Sequence, residues 1–153
     1  MEKKTIAQRV QEWIGTQDKA CIQETDVSNI KFEENKSKIT FANSRRVKCY
    51  RLQIDGCIIK EGIRCDNMLI VEETGETFYV ELKGVDTRKA IEQLEETSKK
   101  VYWSKECTRT AIVVGKNHMP KADTFIQSKM KAFKNQKVDL LIIKSPGETN
   151  IGI

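Results

Sequence analysis

The sequence predicts an α/β fold, a mixed β-sheet flanked by helices, and three observations predict it. Met68 to Val71 is a continuous apolar run, Glu72 to Thr77 is a polar turn around Gly75, and Phe78 to Lys83 alternates apolar and polar. Together they read as a two-strand hairpin. A helical pattern from Asp86 to Trp103 then leads to a buried strand over Thr110 to Val114, and strands joined through a helix form a parallel crossover. Helix-period stripes near both ends of the chain supply the flanking layers.

Taken in order, Thr5 caps a helix whose Ile6, Val10, Trp13 and Ile14 form one apolar stripe ending at Gly15. Thr16 to Ser28 is polar, and the sequence does not decide between a loop and a short helix. Ile30 to Glu34 and Ile39 to Ala42 alternate on either side of Asn35 to Lys38, which makes an added hairpin. Tyr50, Leu52 and Ile54 alternate against Arg51, Gln53 and Asp55 in a strand, and Gly56 and Gly62 mark a tight connection into the central hairpin. Gly84 breaks the strand after Lys83, and Asp86 caps a helix with Ala90, Ile91, Leu94, Ser98 and Val101 on its buried face. Pro120 suits the first turn of a last helix carrying Phe125, Ile126, Met130 and Phe133 on one side. Val138 to Ile143 is the last strand, and Ser145 to Ile153 reads as a tail of turn residues.

With 153 residues, 39% hydrophobic and 32% charged, the chain is expected to be one ordered domain over 1–153. No apolar run reaches the roughly 20 residues of a membrane helix. The start lacks the apolar core of a signal peptide, so no membrane association and a cytoplasmic location are expected. Five cysteines (21, 49, 57, 65 and 107) make no CxxC pair and are read as small buried hydrophobes in a reducing compartment. His118 alone cannot form a ligand cluster and is read as structural or solvated. A net charge of +5 permits an anionic partner.

The chemistry concentrates in the central hairpin. Folding it at Gly75 brings Asp66 near Glu81 and Lys83, and strand alternation places Glu81 and Lys83 on one surface, roughly 6 to 7 Å apart. Two close carboxylates repel unless a cation lies between them, and a hard, oxygen-liganded ion such as Mg²⁺ resolves the conflict. The densest positive patch runs from Ser44 to Arg51. Its Arg45, Arg46 and Arg51 suit phosphate contacts beside that site, and each reads equally well as solvated charge protecting an edge strand.

Asp66, fourteen intervening residues and then Glu81-Leu82-Lys83 resembles the signature of the PD-(D/E)xK nuclease superfamily, with Cys65 in the place of the family's leading proline. The resemblance covers about Arg46 to Gly115 and implies a restriction-endonuclease-like core with the N-terminal hairpin added. It implies a Mg²⁺-dependent deoxyribonuclease, with Mn²⁺ able to substitute, that hydrolyses a phosphodiester by a metal-activated water. Asp66, Glu81 and the Leu82 carbonyl would hold the metal, Lys83 would orient the water or stabilise the transition state, and Gln93 matches a glutamine that several branches carry on this helix. For Gln93 an ordinary exposed helix position reads as well. Glu12, Asp55 and Glu61 are candidates for a further acid. The partner would be DNA, cut by the protein alone, as a homodimer or as a subunit of a larger complex; substrate form, endonuclease or exonuclease action and sequence preference stay open. The alternative within the family is a catalytically inactive domain that binds nucleic acid or a partner protein.

Overall fold

The computed structural model describes residues 3–34, 37–62, 64–82, 86–115, 123–144 and 150–153. Among them, three helices and nine strands form a mixed α/β arrangement in three layers. Helix α1 (Ile6–Gly15) starts at Thr5 with a capping box, Thr5 accepting from Gln8 N–H and Gln8 returning the bond to Thr5 N–H. A single 3₁₀ turn over Lys19–Cys21 leads into β1 (Ile22–Thr25), a strand in the stretch that the sequence left unassigned.

The large sheet has the order β1-β4-β5-β6-β7-β8, built from β1, β4 (Cys49–Gln53), β5 (Asn67–Val71), β6 (Thr77–Glu81), β7 (Arg109–Gly115) and β8 (Val138–Lys144). The pairs from β1 to β6 are antiparallel, while β6-β7 and β7-β8 are parallel, their crossovers carried by α2 (Thr87–Lys100) and α3 (Thr124–Asn135). The expected added hairpin is present as β2 (Asn29–Glu34) and β3 (Ser37–Ala42). It forms a second sheet with β9 (Asn150–Gly152), where the sequence suggested only a tail.

Strand alternation sends one side chain to each layer. On β4 to β7, Tyr50, Leu52, Met68, Ile70, Tyr79, Ala111 and Val113 pack with Val10, Ala90, Ile91, Leu94, Ile126 and Phe133 of the helices. Cys49, Leu69, Val71, Phe78, Val80, Ile112 and Val114 pack on the other face with Ile30, Phe32, Ile39 and Phe41 of the small sheet. Gly75 makes the central turn with φ 74°.

Two buried charges clamp the helix layer. Arg109, 2% exposed, donates to Ser98 O (2.9 Å), Gln136 O (2.8 Å) and Tyr79 Oη (3.3 Å), satisfying carbonyls at the C-terminal ends of both α2 and α3. Lys129 of α3 donates to Glu95 of α2 at 2.8 Å. Met130, expected in the core stripe with Ile126 and Phe133, is instead 37% exposed. The buried face of α2 takes in Gln93, Glu95 and Thr97 besides the expected apolar positions. Asp123 caps α3; Pro120, expected in its first turn, and His118 lie outside the described residues.

The expectation for the cysteines needs one correction. Cys21 and Cys57 form a disulfide with Cα atoms 5.6 Å apart, tying the 3₁₀ turn to the loop after β4. Spacing alone gave no signal, because the two partners are 36 residues apart and meet only when β1 pairs with β4. Cys49 and Cys65 are buried thiols as expected, and Cys107 is half-buried. No described helix is long and apolar enough to cross a membrane.

Candidate metal and phosphate site

The register of β5 and β6 places the two acids. Asn67 faces Val80, Met68 faces Tyr79 and Leu69 faces Phe78, so Asp66, just before β5, and Glu81, the last residue of β6, lie at the same end of this ladder. Glu81 lies on the helix side, two residues along β6 from Tyr79, which packs there. Asp66 is fixed in place: its Oδ2 accepts Leu82 N–H at 3.1 Å, and its carbonyl accepts Ile54 N–H (3.0 Å) and Asp55 N–H (3.4 Å). Burial pushes the Cys65 thiol pKa up; the Thr97 hydroxyl pulls it down, and the nearby Glu81 and Asp66 carboxylates add to the rise.

Helix α2 is anchored to this strand end. Cys65 N–H donates to Thr97 Oγ1 at 2.8 Å, and Thr97 Oγ1 donates to Gln93 O at 2.9 Å. Gln93 is 8% exposed, and its Oε1 is buried without a hydrogen bond from the described residues. It lines a cleft of about 650 Å³ together with the basic Arg64, Arg88 and Lys89 and the acidic Asp55, Asp86 and Glu92. Asp66 and Glu81 lie beneath the surface beside this cleft rather than in its wall, at 7% and 0% exposure. Asp55 and Gln93 connect the two, one through its bond to the Asp66 carbonyl and the other through Thr97.

Of the residues singled out from sequence, Asp66, Glu81, Leu82 and Gln93 come together at one end of the sheet, and Lys83 lies outside the described residues. The three arginines do not join them. Arg45 pairs with Glu73 (3.6 Å) and Arg46 with Asp26 (4.0 Å) before β4 begins; β4 sets Cys49 against Val71, at the other end of the sheet from Asp66. Arg51 lies on the opposite face, its guanidinium 4.2 Å from the Phe32 ring and donating to Lys31 O at 2.7 Å, where it bridges the two sheets. Glu12 is an exposed partner of Lys4, and Asp55 is bonded to Arg64 at 2.6 Å. The structure gives Glu61, an exposed loop residue, no partner at the acid pair. The residues the sequence did not single out are Arg64 and Thr97; the only local sign of Arg64 was its position between Gly62 and Asp66.

Among the described residues no three His, Cys, Asp or Glu side chains converge on one point. A metal here would have two carboxylates and the Leu82 carbonyl. That is an all-oxygen set, which fits Mg²⁺ or Mn²⁺, ions commonly held by one or two carboxylates with water and substrate phosphate completing the shell. No protein-family model, curated protein or solved structure matches the chain.

Proposed function

We propose that this end of the sheet is the active site of a Mg²⁺-dependent nuclease acting on DNA, built on a restriction-endonuclease-like core. The supporting observation is that the β5–β6 register carries Asp66 and Glu81 to the same end of the sheet, where Asp66 is held by Leu82 N–H. The order α1, then β4, β5 and β6, then α2 and β7, is also the helix, three strands, helix and strand that the resemblance implies. Asp66, Glu81 and the Leu82 carbonyl would hold the ion, which when bound lowers the pKa of a coordinated water and neutralises charge on the phosphate. The Leu82 bond keeps Asp66 aimed along the strand end. Gln93 Oε1 offers an acceptor for a donor entering the cleft, and Lys83 would stabilise developing negative charge electrostatically.

The test is metal titration by calorimetry and thermal unfolding, followed by incubation with plasmid, linear, single-stranded and branched DNA. A metal at about 100 times its Kd should stabilise the protein by about 2.7 kcal/mol, raising the melting temperature by roughly 5 to 10 °C. Glu81→Gln should lose both that rise and the cleavage. Undiminished cutting by Glu81→Gln would end the assignment.

The complete burial of Glu81 favours one second reading, a domain of this architecture that binds nucleic acid or a partner protein without cutting it. Salt-sensitive DNA binding with neither metal response nor cleavage would select it.

A further inference from the structure

We infer that Arg64 is a phosphate-binding residue of this site, holding a nucleic-acid phosphate at the cleft beside the carboxylate pair; the inference rests on the nucleic-acid reading above. Arg64 stands two residues before Asp66, on the loop that delivers that acid. Its Nε donates to Asp55 Oδ1 at 2.6 Å, and Nη1 donates to Gly62 O at 2.7 Å. Gly62 has φ 91°, a left-handed turn that a side chain would strain. A guanidinium carries five N–H donors, so these two bonds fix its plane and leave the Nη2 end for a ligand. A planar fork held in advance suits phosphate, because little side-chain freedom remains to be lost on binding.

The other cleft cations are placed differently. Arg88 is drawn to Asp123 (3.6 Å) and lies 5.0 Å from the Phe125 ring, while Lys89 is a flexible ammonium on the exposed side of α2. Arg64 is also 25% exposed on its side chain, buried enough to be positioned and open enough to be reached. Gln93 lines the same cleft, its Oε1 buried without a hydrogen bond from the described residues. Asp55 then acts as the residue that orients Arg64 rather than as a further metal ligand.

The test uses the full chain carrying Asp66→Asn, so that binding is read without cutting, and fluorescein-labelled duplex and single-stranded DNA in an anisotropy titration over a salt series. Adding Arg64→Ala should weaken binding about tenfold and lower the slope of log K against log salt by about one. Arg64→Lys should keep the slope and recover part of the affinity, and circular dichroism checks that each variant is folded. Lys4→Ala removes one positive charge from the exposed start of α1 and serves as the charge-matched control. If Arg64→Ala behaves as Lys4→Ala does while salt-sensitive binding persists, the Arg64 inference falls and the nucleic-acid reading stands. If the Asp66→Asn chain binds no DNA and the unaltered chain cuts none, the nucleic-acid reading falls and takes Arg64 with it.

Discussion

Replacing Asp66 by alanine should stop DNA cleavage and destabilise the fold, whereas asparagine should stop cleavage and leave the fold nearly intact. The difference comes from one bond, Leu82 N–H to Asp66 Oδ2 at 3.1 Å, at a place where Leu82 is 1% exposed. Alanine leaves that N–H buried without an acceptor, at a cost of about 1 to 3 kcal/mol. Asparagine keeps a carbonyl oxygen in the same position and loses only the charge assistance, about 1 kcal/mol or less. With a urea m value of about 1 to 3 kcal/mol/M, alanine should lower the unfolding midpoint by roughly 1 M and asparagine by less than half of that. Urea unfolding followed by circular dichroism in EDTA reads this without any metal linkage, and plasmid cutting with Mg²⁺ reads the chemistry. Equal destabilisation by the two substitutions would show that the Leu82 bond does not anchor Asp66, and full cutting by Asp66→Asn would remove Asp66 from the reaction.

Gly75→Ala should cost about 3 kcal/mol or more in the same unfolding assay, because φ is 74° and an added Cβ would meet Trp103 Cζ2 at 2.2 Å; a loss under about 1 kcal/mol would contradict the packing. Arg109→Met strands carbonyls at the ends of α2 and α3 and should lower the melting temperature by roughly 10 °C, at about 3 kcal/mol. Alkylation in urea without reductant should modify three cysteines, and all five only after reduction; the chain-entropy model puts the stabilisation from the Cys21–Cys57 bridge at about 4 kcal/mol. Stability should fall as the pH rises from 9.0 to about 11, since burial pushes the Cys49 thiol from the first value to the second. Over that interval the unfolded chain has released a proton that the folded chain keeps. Burial raises the Cys65 and Tyr79 pKa values as well, so urea midpoints that stay level across the interval would refute the buried, protonated state of these groups.

The legible parts of the fold were those whose side chains meet a layer on both sides or on one clean stripe. Met68–Val71, Phe78–Val80 and Thr110–Val114 are covered on both faces, and their apolar runs or alternation announced them. Strand β1 did not announce itself: Ile22–Thr25 is half exposed at an edge, and its stability comes from pairing with β4 and from the Cys21–Cys57 bridge. Strand β9 is three residues added in parallel to β3, too short for any period to appear. Met130 was misjudged because the buried face of α3 is narrower than its apolar stripe: Ile126 and Phe133 are covered, while Met130 is 37% exposed.

The site divides along the same line. Asp66 and Glu81 could be brought together on paper because a hairpin turn fixes register, and register fixes which side chains share a face. The arginines were judged by sequence distance, and alternation undid that judgement: Arg51 neighbours Leu52, yet Leu52 packs under the helices while Arg51 turns to the small sheet. The cation at the cleft, Arg64, depends on a loop closed by Asp55, Gly62 and the Asp66 carbonyl, contacts that exist only once β4 and β5 are paired. Gln93 follows the same logic. On an isolated helix it is a solvated margin, and it becomes a buried acceptor because Thr97, one turn on, is already bonded to the strand that carries Asp66. The apolar stripe of Ala90, Ile91 and Leu94 fixes which side of α2 meets the sheet, and the Thr97–Cys65 bond ties that helix to the residue before Asp66, beside the cleft that Gln93 and Arg64 both line.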